Sequence, residues 1–343
     1  MTREDFIIKK MEQDLKAHYA QHAAQPGELD KKWKLLTESV PKLFINDDLT
    51  IKRDVIRNFR KWTIFIPDMP IHNRRFHLLK KTISGAQRGA REGLRGLIKL
   101  LEDLKLQDLL KQYPCNEVGN PNTFIYKGYR YTERWIRHII FLSIFKKSLS
   151  PRLKDNFILM DIGSSYGIFS YLNKNEFPKS TQILLDFPEQ LALAHYYLGM
   201  SFPDAKIASY TDLMQAKRLD RSYLSQFDFV LLPWTLYSKV EANTLDVLCN
   251  FASLGEMRRE WFDYYLKSEP FLSTKYFFCV NRFESSTTYD TDLTVLDYPL
   301  LDFKRLYFQI SKFFTHTYKR KYLFFYEKFY YPSQYFEFVG ERM

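Results

Sequence analysis

A chain of 343 residues, 45% apolar and 17% aromatic, has ample material for a core and room for two domains or one elaborated domain. Cys115, Cys249 and Cys279 are far apart, with no C-x-x-C pair and no His/Cys metal spacing, so they read as reduced thiols in the cytoplasm and no metal site is expected. The formal net charge is +11, the N-terminus is too charged for a signal peptide, and the longest apolar run, near residues 139–145, is far short of a transmembrane span.

Residues 1–60 read as helical. Phe6, Met11, Leu15 and Tyr19 recur at helical spacing over 5–22, Pro26-Gly27 interrupts, and shorter helices are expected over 31–36 and 49–62. Pro67 and Pro70 break the pattern before a long helical stretch over 74–110. Residues 51–100 carry 13 Lys and Arg against Asp54, Asp68 and Glu92. Such a field attracts nucleic acid, an anionic membrane surface or a phosphorylated substrate, or else is a solvated helical face. Within it Gly85, Gly89 and Gly93 form a smooth stripe flanked by Arg88, Arg91 and Arg95, read as close helix packing or a basic lid. Residues 114–128 have the turn residues of a loop, with Gly119-Asn120-Pro121 placed to cover a ligand site. A helix follows over 131–147, and the boundary between the N-terminal helical region (1–150) and an α/β domain (151–343) falls after it.

The chain is organised around FILMDIGSSYGIFSY at 157–171. An apolar strand ends in Asp161, which can accept hydrogen bonds from a ligand. A glycine turn follows, then an amphipathic helix. Gly163 permits positive φ and close approach of ligand atoms, and Gly167 lets the helix pass close to the strand. Ser165 stands where a dinucleotide fingerprint has its middle glycine, which fits a ligand without a diphosphate, such as S-adenosylmethionine. A second strand ends in Asp186, 23 residues after Gly163, where a carboxylate hydrogen-bonds ribose hydroxyls. Pro188 opens a helix that Gly199 is expected to end, with His195 a surface or core residue rather than a catalyst. Further strands are read at 206–210, 227–234, 245–250 and 276–280, a helix at 261–267, and two aromatic strand-like runs after Tyr322 that close the sheet. Asp290, Asp292 and Asp297 read as a solvated loop rather than a cation site. Strands alternating with helices imply a parallel sheet with ligands at its carboxyl edge.

The segments EVGNP (117–121), DIGSSYG (161–167), LLDFPEQLALAHYYL (184–198), DVLCNFASLGEM (246–257) and YFFCVNR (276–282) resemble class I S-adenosylmethionine-dependent methyltransferases. More narrowly, the chain is similar to the sugar O-methyltransferases associated with bacterial polysaccharide synthesis. The N-x-x-S-x-x-E-M and D-x-P-E-x-L arrangements carry the likeness most specifically, and serines at 164 and 165 depart from glycines common there. The resemblance implies an α/β, Rossmann-like class I methyltransferase sheet with a mainly helical N-terminal region. It implies S-adenosyl-L-methionine as cofactor, bound by Asp161, Gly163, Ser165, Tyr166, Gly167 and Asp186, with Trp234 or Asp212 on the adenine side. It places Asn250, Ser253, Glu256 and Asn281 at strand ends facing the acceptor, with Asn120 and Arg282 also on the substrate side.

A sugar hydroxyl is a poor nucleophile, so a base is needed as the C–O bond forms. Glu256 is assigned that role and Asn250 and Ser253 the positioning of the acceptor, the alternative being a Glu256 that caps a helix or pairs with Arg258 or Arg259. The partner expected is a sugar or glycan, free, nucleotide-linked or lipid-linked, and homo-oligomerisation is left open. Two other readings are a nucleic-acid methyltransferase drawn by the basic 51–100 stretch, disfavoured because the Asn/Asp-Pro-Pro-aromatic tetrad is missing, and an inactive cofactor-binding or partner-binding fold.

Overall fold

A computed structural model describes residues 1–22, 41–62, 97–286, 289, 291–313, 316–322, 325–331 and 333–343. The glycine stripe, its flanking arginines, Asp290 and most of the basic stretch lie outside these residues.

Among the described residues there are twelve strands: β1 (Phe124–Tyr126), β2 (Tyr129–Tyr131), β3 (Ile158–Ile162), β4 (Thr181–Asp186), β5 (Ile207–Ala208), β6 (Phe229–Pro233), β7 (Val247–Phe251), β8 (Tyr276–Arg282), β9 (Phe303–Ile310), β10 (His316–Tyr322), β11 (Phe325–Tyr331) and β12 (Tyr335–Arg342). Eight form one sheet in the order β5-β6-β4-β3-β7-β8-β12-β9. The first six run parallel, and β12 is antiparallel to both β8 and β9. Counted along the chain, the five central strands stand 3-2-1-4-5, the Rossmann-like doubly wound order. The chain first builds outward from β3 through β4 to β6, then returns to the other side of β3 with β7. The order therefore reverses between β3 and β7, the point where ligands bind outside the carboxyl ends of such sheets.

Alternation along each strand divides two cores. Leu159, Cys249 and Phe278 face a cluster built with the helices Glu133–Ser148, Ile168–Glu176, Pro188–Ser201 and Arg3–Gln21. Met160, Leu248 and Phe277 face a second, packed by Leu213, Phe262 and Tyr265. Central strands buried on both faces explain the continuous apolar runs.

The N-terminal helix Arg3–Gln21 starts in a capping box between Thr2 and Asp5 and buries Ile7, Ile8, Met11 and Leu15. It lies on the helix Pro188–Ser201, which continues through Gly199. The glycine has a packing role: a Cβ there would sit 3.0 Å from Ile7 Cδ1, and Arg3 Nε donates to the Gly199 carbonyl at 2.7 Å. His195 is a core residue, its Nδ1 3.8 Å from Asp14.

Three further readings are corrected. The stretch 49–62 is not one helix but two single turns, Arg53–Ile56 and Phe59–Trp62. The loop read at 114–128 contains β1 and turns into β2 through Lys127 and Gly128, both at positive φ (49° and 84°), the two-residue turn whose twist suits a hairpin. The aromatic tail divides: β12 joins the sheet between β8 and the edge strand β9, whereas among the described residues β10 and β11 pair with each other and not with that sheet.

Candidate active site

The turn after β3 is held by backbone bonds from Gly163 and Ser164 to the Leu185 carbonyl (2.8 and 3.4 Å) and from Gly167 to the Ser164 carbonyl (3.1 Å). Gly163, Ser165 and Gly167 all have positive φ (72°, 53° and 87°). Ser165 thus takes a left-handed conformation that costs an L residue about 1–2 kcal/mol. Gly167 does what its spacing predicts, since a Cβ would meet Leu184 Cδ2 at 2.7 Å. Gly163 has the positive φ expected of it, but the group pressed against its Cα is Ser253, whose Oγ would lie 2.2 Å from an added Cβ.

Asp186 accepts from the backbone N–H of Ser165 (2.6 Å) and of Phe187 (2.8 Å), so the second strand's carboxylate fixes the first strand's turn. Burial raises its pKa to about 6, against the pull of those two donors. Asp161, 3% exposed, is pushed well above the usual carboxylate range by burial and then by Asp186, while Arg134 pulls the other way. Its Oδ1 is buried without a hydrogen-bond partner, and so is the Ser164 hydroxyl. Tyr166 is fully buried beneath two guanidinium groups, with Arg60 5.6 Å and Arg134 5.4 Å from its ring centroid.

Across the switch point the polar residues satisfy one another. Asn250, fully buried, donates through Nδ2 to the Ile162 carbonyl (2.6 Å) and to Ser253 Oγ. Its Oδ1 accepts from Leu254 N (3.0 Å) and Asn281 Nδ2 (2.8 Å). Ser253 Oγ donates to the Ile162 carbonyl (3.1 Å), and Asn281 Oδ1 accepts from Gly255 N (3.3 Å). Asn250 and Asn281, expected to face the acceptor, are enclosed instead. They tie the ends of β3, β7 and β8 to the turn Leu254–Glu256, which positions Glu256.

Glu256 is half-buried and hydrogen-bonds Tyr289, whose pKa is raised by burial and then by Glu256. Arg258 pairs with Glu260, and Arg259 bridges Asp292 and Asp297, both at 2.9 Å. Those two aspartates therefore serve an ion pair, and among the described residues no His/Cys/Asp/Glu group is placed to hold a metal. Arg282, at the end of β8, reaches Gln334 Oε1 at 3.0 Å and lies 4.9 Å over the Tyr335 ring.

Two expected residues lie apart. Asn120 is exposed and donates to Asn58 at 2.6 Å, its loop anchored on Phe59 and Arg60. Asp212 closes the capping box of Tyr210–Gln215 and pairs with Lys10. Trp234 follows β6 and meets Trp261 edge-on at 5.0 Å. Sequence reasoning missed Arg134, Tyr289 and the approach to the site of the N-terminal helix, which it did read as a helix and whose Tyr19 donates to buried Glu189 beside Asp186. The D-x-P-E segment held the clue to Glu189; nothing marked Tyr19 beyond its place in an apolar stripe.

No protein-family model and no curated protein matches the sequence. Solved structures similar to part of the chain include the precorrin-6y C5,15-methyltransferase of Geobacter metallireducens (10% identity, 59% of this chain and 87% of that one, TM-score 0.34). Another is the pyocyanin biosynthetic protein PhzM (13%, 61% and 58%, TM-score 0.33). A third is TrmK of M. capricolum in complex with S-adenosylhomocysteine (9%, 57% and 66%, TM-score 0.30). These likenesses are too distant to carry an argument. The class, a Rossmann-like α/β sheet of the kind expected for a class I methyltransferase, rests on the strand order and the glycine turn. Among the described residues no helix is long and apolar enough to cross a membrane.

Proposed function

We propose that this chain is an S-adenosylmethionine-dependent O-methyltransferase whose acceptor is a sugar hydroxyl in glycan synthesis. The observation that carries the cofactor is the pair of buried, unpartnered oxygens at the glycine turn, Asp161 Oδ1 and Ser164 Oγ, beside the raised carboxyl of Asp186. Leaving such groups unsatisfied costs about 1–3 kcal/mol each. A ligand bearing an ammonium and a ribose diol would satisfy them, and its positive charge would favour ionised Asp161 and Asp186. When bound, S-adenosylmethionine supplies a methyl group on a sulfonium. Asp161 would hold the ammonium, Asp186 the ribose hydroxyls and Ser164 a polar edge. Arg134 would balance the two carboxylates, and Tyr19 with Glu189 would close the nucleoside side.

At the acceptor side, Glu256 takes the proton from the attacking hydroxyl, and the Asn250–Ser253–Asn281 cluster fixes the turn that carries it. Alignment of two bound reactants contributes up to about 7–11 kcal/mol, and a placed base about 10²–10⁴-fold. Half-buried Tyr335, on which the charge of Glu256 acts, would offer a face to a sugar ring. The test has two parts. Calorimetry should detect S-adenosylmethionine or S-adenosylhomocysteine on folded protein. With labelled cofactor and a lysate glycan fraction, Glu256→Gln should lose turnover by about 10²-fold or more while cofactor binding persists. Unchanged turnover removes Glu256 from the role.

A further inference from the structure

We infer that the acceptor carries a phosphoryl group and that Arg282 holds it; this rests on the acceptor site proposed above. Arg282 stands at the carboxyl end of β8, where ligands meet such a sheet. It is half-buried, its Nε is buried without a partner, and among the described residues it makes no ion pair with a carboxylate. Its neighbours are a neutral amide, Gln334, and the face of Tyr335, the residue paired with it across β8 and β12. A charge withdrawn from water without a counter-ion is costly, and a guanidinium with an open donor matches a phosphate oxygen.

A second element converges on the same place. Arg137, from the first turns of the helix Glu133–Ser148, sits 5.8 Å from the Phe313 ring, and its charge acts on Tyr335 together with that of Arg282. Phe313 also lines a cavity of about 210 Å³ between that helix and the outer strands, with Lys147 and Lys312 among its lining residues. Arg282 and Arg137 therefore place positive charge around Tyr335, on which Glu256 also acts, and Lys147 and Lys312 line, together with Glu337, a space able to receive more of the molecule. A neutral sugar needs none of these charges. A sugar esterified to a diphosphate carrier uses them, whether the carrier is a nucleoside or a lipid.

The probes are uridine 5′-diphosphate and farnesyl diphosphate, with uridine as the uncharged control. Each is titrated into the full chain by calorimetry, with and without S-adenosylhomocysteine. At least one diphosphate should bind and uridine should not, and the diphosphate that binds more tightly names the carrier. Arg282→Gln should weaken that binding by about tenfold or more. Arg282→Lys should weaken it less, and both variants should bind S-adenosylhomocysteine as the wild type does, which also reports that they fold. Equal diphosphate binding by wild type and Arg282→Gln, or none by the wild type, overturns the inference. Failure of the wild type to bind S-adenosylhomocysteine sinks the methyltransferase reading separately, because diphosphate binding and its loss in Arg282→Gln are also read without that ligand.

Discussion

The glycine turn and the asparagine cluster on either side of the switch point treat buried polarity in opposite ways. At β3 and β4, Asp161 Oδ1 and Ser164 Oγ are buried with no partner, and Asp186 adds to the burial that raises the proton affinity of Asp161. At β7 and β8, Asn250, Ser253 and Asn281 are as deeply buried, yet each finds partners in the others or in the backbone of Ile162, Leu254 and Gly255. Saturated polar groups lock strand ends together, and unsaturated ones wait for a ligand. Polar residue types alone do not tell the two apart. Their partners do.

The comparison breaks first at Gly163, where the two sides touch. Gly163→Ala adds a Cβ at positive φ and drives it into Ser253, so we expect a stability loss of about 2–5 kcal/mol by denaturant melt. In a Ser253→Gly background the clash is gone and only the backbone cost, about 1–2 kcal/mol, should remain. Next comes Asn250→Ala, which orphans the Leu254 N–H and the Asn281 amide and should cost about 2–4 kcal/mol. Asp161→Asn sharpens the contrast. It removes a carboxyl whose ionised form burial and Asp186 disfavour, so stability should hold or rise. Affinity for S-adenosylmethionine should fall about ten- to hundredfold. A loss of stability in Asp161→Asn as large as that in Asn250→Ala would erase the distinction between the two sides.

Much of the carboxyl edge was legible in the sequence because it is local. An apolar run, an acid, a glycine turn and a second acid 23 residues on are fixed by neighbours in the chain, and Gly167 and Asp186 sit where that pattern requires. The acceptor side was legible as to place but not as to role. Asn250 and Asn281 belong to strand ends that meet only after the sheet is assembled, and their mutual bond spans 31 residues. Arg134 and Tyr19 were unreadable for the same reason: each lies on a helix whose pattern reports its buried face and not what the next residue approaches. The strand β9 escaped because the adjacent exposed residues Lys304 and Arg305 leave it neither a continuous apolar run nor a clean alternation.

The smallest effect tests the electrostatic half of the contrast through pH. Asp186 has a folded pKa of about 6 against about 3.9 in an unfolded chain. Between those values the native chain holds a proton that the unfolded chain has released. The contribution of Asp186 to the stability of the ligand-free protein is therefore greatest below about pH 4, declines as pH rises to about 6, and is level above it. Asp161, raised well above the carboxylate range, extends the decline in the same direction. The cofactor's dependence has the opposite sign, because ribose hydroxyls and an ammonium are better held by ionised carboxylates. Over the same interval the wild type should lose stability relative to Asp186→Asn, both free of ligand, while the increment added by S-adenosylmethionine to the wild type grows. Asp186→Asn should flatten its share of both slopes. A cofactor affinity that does not change between pH 5 and 7, or a free-protein melting curve identical in Asp186→Asn and wild type at every pH, would mean that these carboxyls are already satisfied and that the glycine turn belongs with the framework on the other side.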